Sequence, residues 1–154
     1  MKKEIKKPYR PCVVAVIVND DQQVLVGERL NAPGSWQFPQ GGIDQGESAI
    51  EALRREVLEE TGCQHLDILK EASRKFRYDF PKDFPAKIAK EWAGQEQVWY
   101  LCRTNDVPDV ENAKDKEFGR FCWMDAKEVL DHVIFFKKMV YHTALVDLGC
   151  ISSH

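Results

Sequence analysis

The stretch GGIDQGESAIEALRREVLEETGC, running from Gly41 to Cys63, decides how this chain is read. Its second part, Glu47 to Glu60, has helical spacing, and Gly62 stands where a helix ends. At roughly 100° per residue, Glu56, Glu59 and Glu60 share one helix face, with Ala49 and Ala52 above them. Ile50, Leu53 and Val57 form an apolar stripe beside that face. Carboxylates at i, i+3 and i+4 repel one another, and a helix has no structural reason to carry them unless a cation offsets the charge. A hard divalent ion with oxygen ligands is the natural one.

A solvated acidic face is the plain alternative. It does not account for the Gly-Gly turn at Gly41 and Gly42, for Glu47 at the helix start, or for Arg55 inserted among the acids. Together Gly41, Glu47, Arg55, Glu56, Glu59, Glu60 and Gly62 fill the pattern G-x5-E-x7-R-E-U-x-E-E-x-G-U, with U a bulky apolar residue. That pattern resembles the Nudix box. Cys63 takes the last apolar slot, where it packs as a small hydrophobe. The resemblance implies that the Gly41 turn brings a backbone carbonyl to a metal, that Arg55 and Glu47 hold loop and helix together, and that Glu56, Glu59 and Glu60 bind the metal ions.

Composition agrees with one enzyme domain spanning 1–154: 44% hydrophobic and 31% charged, with an N-terminal arm over 1–10. The start MKKEIKKPYRP is basic but has no apolar leader core, and the longest apolar run, Val13 to Val18, is too short to cross a bilayer. A cytoplasmic protein without membrane contact is expected. The five cysteines (Cys12, Cys63, Cys102, Cys122, Cys150) are odd in number and scattered, which reads as reduced thiols. His65, His132, His142 and His154 are equally dispersed, so a His-based zinc site or a Ser-His nucleophile has poor support.

A pass along the chain gives an α/β order. Cys12 to Val18 and Gln23 to Gly27 read as strands around the turn Asn19-Asp20-Asp21, a hairpin-like start. Asn31 to Ser35 is a loop, Leu66 to Tyr78 and Gln97 to Arg103 each contain a strand, and Phe121 to Met124 is a short strand. Asp125 and Glu128 suggest a capping box opening a helix. Ile134 to Leu148 reads as the final helix, with Met139, Tyr141, Leu145 and Leu148 as candidate core. A mixed sheet with helices on both faces makes a three-layer α/β/α sandwich. The resemblance implies that this is the Nudix fold.

A carboxylate cluster holding Mg2+, or Mn2+ in its place, suits hydrolysis of a phosphoanhydride without a covalent intermediate. The words flanking the box narrow the substrate. Trp36-Gln37-Phe38-Pro39-Gln40-Gly41-Gly42-Ile43 resembles a run found in bacterial RNA 5'-pyrophosphohydrolases and in their relatives, the dinucleoside polyphosphate hydrolases. Tyr9-Arg10-Pro11, Gly94 to Tyr100, Lys116-Glu117-Phe118 and Phe136-Lys137 extend the resemblance over nearly the whole chain.

That resemblance implies further roles. Glu117 is placed as a distal carboxylate that binds a metal or accepts a proton from water, against the alternative of an ordinary surface acid. Arg29 and Ser35 match positions that reach phosphate, where an Arg fork suits the oxygens. Gln40 lies where the loop faces substrate, and Lys137 matches a phosphate contact, against plain solvated charge at Lys137-Lys138. Arg10 and Phe136 correspond to a pair that holds a nucleobase between a guanidinium plane and a ring. The alternative puts Phe135 and Phe136 both in the core, but adjacent helical residues point about 100° apart.

The segment Arg74 to Trp92 interleaves basic and aromatic residues. It is either a wall of the substrate site or a surface loop with its aromatics tucked inward, and Tyr78-Asp79-Phe80-Pro81 is similar to plant-type dinucleoside polyphosphate hydrolases. A net charge of -3 argues against tracking a long nucleic acid but not against binding one 5' end. Lys2, Lys3, Lys6, Lys7 and Arg10, with Arg29 and Lys137, supply local positive charge. The expected function is removal of phosphates from the 5'-triphosphate end of RNA to leave a monophosphate, with hydrolysis of Ap4A-type dinucleoside polyphosphates as the alternative. A catalytically silent binding module is a third reading, against which the complete set Glu56, Glu59, Glu60 speaks. The resemblance is also compatible with a homodimer.

Overall fold

The apolar run Cys12 to Ile17 is buried throughout, and its alternating side chains enter two separate cores. That is the pattern of a strand covered on both faces. In the computed structural model, which describes residues 6–85 and 87–153, this run belongs to strand β1 (Tyr9–Ile17). Lys2 and Lys3 of the expected arm and His154 lie outside the described residues.

β1 pairs in parallel with β7 (Gly94–Arg103), from Tyr9 opposite Gly94 to Ile17 opposite Cys102. β4 (Gln40–Gly42) runs antiparallel on the other edge of β1, while β5 (Asp67–Glu71) and β6 (Phe76–Asp79) both pair with β7. A second, antiparallel sheet has the order β3 (Trp36–Gln37), β2 (Val24–Arg29), β8 (Phe118–Met124).

The helices cover the two faces. Val13, Ala15 and Ile17 cluster with Leu53 and Val57 of α1 (Ala49–Thr61), and Val14 and Val16 cluster with Tyr141, Ala144 and Leu145 of α4 (Lys138–Asp147). The expected α/β layering is thus present, although split over two sheets. Short helices α2 (Ile88–Glu91) and α3 (Ala126–Val129) complete the elements used below. Among the described residues, no helix is long and apolar enough to cross a membrane.

Several local expectations are corrected. The hairpin around Asn19 reduces to one bridge, Val18 to Val24, because β2 leaves for the second sheet. Asn19 Oδ1 closes that turn by accepting the Asp21 and Gln23 N–H groups. Leu66 to Tyr78 holds two strands, β5 and β6, and the chain before the last helix forms a 3-10 turn, Phe135–Lys137. Asp125 makes no side-chain cap, since α3 is a single turn whose N-cap carboxylate finds no backbone donor. The real capping box is Ser48 with Glu51 at the start of α1, so Glu47 lies before the helix. Met139 is 80% exposed, not core. Ile50 is exposed as well, at the solvent edge of the stripe, while Leu53 and Val57 are buried. Gly62 ends α1 in the left-handed conformation at φ 78°, as its position foretells.

Candidate active site

β4 delivers Gln40, Gly41 and Gly42 along the edge of β1, and the capping box then turns the chain into α1. Helix and strand meet with no room to spare. A β-carbon on Gly41 would lie 2.0 Å from the Glu56 carboxyl carbon, so any other residue there must displace the Glu56 side chain. Arg55 ties the loop down. Its Nε donates to Glu47 Oε2 at 2.8 Å, and its Nη2 donates to Glu47 Oε1 and to the Gly42 carbonyl, each at 2.9 Å. Its Nη1 donates to Glu56 at 2.7 Å and to Glu59 at 3.4 Å. The Arg55 fork holds the Glu47 carboxyl down at about 2.

Glu60 points inward and accepts the Gln40 N–H at 3.2 Å. Burial, then the neighbouring charges of Glu117 and Glu56, push its pKa well above the ordinary carboxylate value. Glu56 and Glu117 are raised too, in both cases chiefly by desolvation. Three acids from two elements therefore oppose one another's ionisation.

Glu117 precedes β8, and its carbonyl accepts the Leu30 N–H at 3.0 Å. Gln37 bridges its side chain to the last helix: Gln37 Nε2 donates to Glu117 Oε1 at 3.3 Å, and Lys137 Nζ donates to Gln37 Oε1 at 3.4 Å. Lys137 is only 5% exposed, while Lys138 is in solvent, so plain solvated charge does not describe it. Burial and the nearby Arg29 lower the Lys137 pKa to about 8. Arg29 ends β2 with its Nε buried and without a hydrogen-bond partner among the described residues. The backbone N–H of Arg29 donates to the Ser35 carbonyl at 3.0 Å, which closes the Asn31–Ser35 loop beside it.

A cavity of about 430 Å³ joins these groups. Arg10, Arg29, Ser35, Gln40, Glu117, Phe136 and Lys137 all line it, so every residue expected to touch substrate faces one space. Glu56, Glu59 and Glu60 are not on that lining; they stand on α1, and Glu60 is linked to the lining through the Gln40 backbone N–H. Phe136 is half-buried while Phe135 is 78% exposed, so the two are not buried equally, although their rings meet edge to face at 5.5 Å between centroids. Phe136 leans on Tyr78 at 5.7 Å and on Phe84 at 5.3 Å between ring centroids. Tyr78, Phe80, Phe84, Pro85 and Ile88 also line the cavity, so the segment from Arg74 to Trp92 contributes a wall of it.

Sequence reasoning did not find Gln37, Gln95 or Gln97. The last two stand on β7 at the spacing Gln-x-Gln-x-Trp, which puts them on one face with Trp99, and that period of two was the available signal.

The donors suit a hard divalent cation, because Glu60 and Glu117 are acids whose ionisation is opposed by burial and by each other. As the side chains stand among the described residues, no three acids, histidines or cysteines are spaced as a ready ligand set, since Arg55 engages Glu56 and Glu59.

The family model for the NUDIX domain matches residues 8–143. The chain is 39% identical over 151 residues to Nudix hydrolase 25 of Arabidopsis thaliana, a match covering 92% of this chain and 86% of that one. It is 37% identical over 146 residues to the RNA pyrophosphohydrolase of Helicobacter pylori, covering 92% of this chain and 94% of that one. Among solved structures, the E. coli dihydroneopterin triphosphate pyrophosphohydrolase superposes with a TM-score of 0.66 at 17% identity, over 91% of this chain and 99% of that one. The chain belongs to the NUDIX family and is an enzyme of the Nudix hydrolase kind.

Proposed function

We propose that this enzyme is an RNA 5'-pyrophosphohydrolase that uses Mg2+, or Mn2+ in its place, to convert 5'-triphosphate RNA ends into 5'-monophosphate ends. The observation that carries the reading is the mixed lining of one cavity. Its wall is aromatic at Phe136, Phe84 and Tyr78 and cationic at Arg29 and at the buried Lys137, whose Nζ lies 5.7 Å from the Tyr78 ring centroid. A nucleotide with a phosphate chain is aromatic at one end and anionic at the other. The similarity to an RNA pyrophosphohydrolase over nearly the full length of both chains supports the same substrate class.

Within that reading, Arg10 and Phe136 hold a nucleobase, and Arg29, Ser35 and Lys137 hold phosphate oxygens. Glu56, Glu59, Glu60 and Glu117, with the Gly41 carbonyl, would hold the metal, which neutralises phosphate charge and lowers the pKa of an attacking water. Water adds to phosphorus, the anhydride P–O bond breaks towards the leaving phosphate, and the proton of the water passes to a carboxylate, a role we assign to Glu117 on its raised pKa and its position on the cavity wall. Arg55 positions Glu56 and Glu47 and does not touch substrate. The five free thiols suit the reducing cytoplasm.

The test is a comparison, with Mg2+, of a short 5'-triphosphate RNA, Ap4A and a free nucleoside triphosphate, using Glu56→Gln as the blank. Much higher kcat/KM on RNA is expected. Preference for Ap4A would transfer the chain to the dinucleoside polyphosphate hydrolases.

A further inference from the structure

Beneath the cavity lies a buried amide relay whose orientation is forced by one indole. Trp99 Nε1 donates to Gln97 Oε1 at 2.9 Å, and an indole N–H is a donor only. The Gln97 carbonyl must therefore face Trp99, which settles an assignment that amides usually leave ambiguous. The Gln97 amide nitrogen is then turned the other way, and its two hydrogens go to Gln95 Oε1 at 2.9 Å and Gln40 Oε1 at 3.1 Å. Gln97 is 0% exposed, so no water competes for these bonds.

The consequence passes to the substrate side. With their oxygens turned to Gln97, Gln95 and Gln40 turn their NH2 groups the other way, and both residues line the cavity. Gln95 is 5% exposed and stands on the cavity wall. An amide NH2 group on such a wall is matched by an acceptor on the ligand and opposed by a donor. Tyr78, Phe80 and Phe136 line the same cavity, where a base plane can stack.

We infer that Gln97, held by Trp99, sets base selectivity by turning the NH2 groups of Gln95 and Gln40 toward the cavity, so that it favours bases with a keto oxygen at C6 or C4 over bases with an amino group at that position. This inference rests on the nucleotide reading of the cavity given above. The O6 and N7 acceptors of guanine and the O4 acceptor of uracil match two donors, whereas the exocyclic amines of adenine and cytosine oppose a donor to a donor. Gln97 is a positioning residue; Gln95 and Gln40 make the contact.

The experiment measures kcat/KM with Mg2+ on 5'-triphosphate RNAs that differ only in G against A, or U against C, at each of the first two positions, with inosine as a third purine. At the position whose base enters the cavity, the keto base is expected to be favoured about tenfold, with inosine grouping with guanine. Gln97→Met should bring that ratio close to one, because Gln95 and Gln40 then turn freely. Gln95→Glu should reverse it in favour of adenine and cytosine, and this isosteric change keeps the test open should Gln97→Met fail to fold. Equal rates for all bases at both positions, or a ratio unchanged in both variants, would overturn the inference while leaving the RNA reading intact. The same comparison is made with Gp4G and Ap4A. If RNA is inert but Gp4G is the better dinucleotide, the RNA reading fails and the inference holds; if the two dinucleotides are equal, both fail. Should nothing be hydrolysed, the dissociation constants of GTP and ATP decide it on the same ratio.

Discussion

The α-carbon of Gly41 lies so close to the Glu56 side chain that a β-carbon there would come within 2.3 Å of both carboxylate oxygens. The neighbouring strand β1 pins Gly41 opposite Val13, so the backbone cannot retreat. Gly41→Ala should therefore move Glu56, and kcat should fall about a hundredfold or more while the fold survives with a loss of roughly 1–3 kcal/mol. Steady-state kinetics beside urea melts check this. Unchanged turnover would mean that the contact has no bearing on catalysis.

Arg55 gives Glu47 its acid stability. The folded pKa of Glu47 is about 2, below its ordinary 4.5. A depressed carboxylate stabilises the fold above its unfolded pKa, and that contribution fades as pH falls from about 4.5 to about 2. Glu47→Gln should flatten this part of the stability curve and leave the region above pH 5 with a constant offset. Thermal melts across the acid range would show it.

Glu60 works in the opposite sense. Its folded pKa lies well above its ordinary 4.5, so over that interval the folded chain binds a proton that the unfolded chain has released. Metal-free protein should lose stability as pH rises out of the carboxylate range. Added Mg2+ should restore it, and Glu60→Gln should raise the melting temperature of the metal-free protein while abolishing turnover. A variant that melts lower and responds to Mg2+ as the parent does would contradict the assignment.

Lys137 titrates at about 8 in the fold, against 10.5 when exposed. Above pH 8 the free enzyme loses this ammonium, and kcat/KM on an anionic substrate should decline, since that ratio reports groups of the free enzyme. Lys137→Met should give a lower kcat/KM without that alkaline limb. Fold stability should move the other way, rising between about pH 8 and 10.5 as the buried charge is relieved.

Local chemistry was legible in the sequence. The acids and arginine of α1, the Gly62 stop and the apolar run of β1 could be read from spacing, because each depends on neighbours within a few residues. What depends on tertiary partners was not. Gln97 is a polar residue that any composition rule places in water, yet Trp99, Gln95 and Gln40 bond its side chain inside the protein. Met139 is apolar yet exposed, since the 3-10 turn before α4 rotates the helix so that Val140 and Tyr141 face the core instead. The early hairpin failed for a similar reason: β8 competes for β2 and draws it into a second sheet. Among site residues, resemblance named seven positions that line one cavity, but the Arg29 Nε, buried without a partner among the described residues, and the Gln37 bridge between Glu117 and Lys137 emerge only from the fold.

The most direct measurement of the central claim is the chemical state of the RNA 5' end after incubation with the enzyme. A short 5'-triphosphate RNA, labelled on its γ- or its α-phosphate in separate reactions, should lose the γ-label and keep the α-label on a 5'-monophosphate product. The conversion should require Mg2+ and be absent with Glu56→Gln. RNA recovered with its triphosphate intact, under conditions where Ap4A is cleaved, would contradict the account.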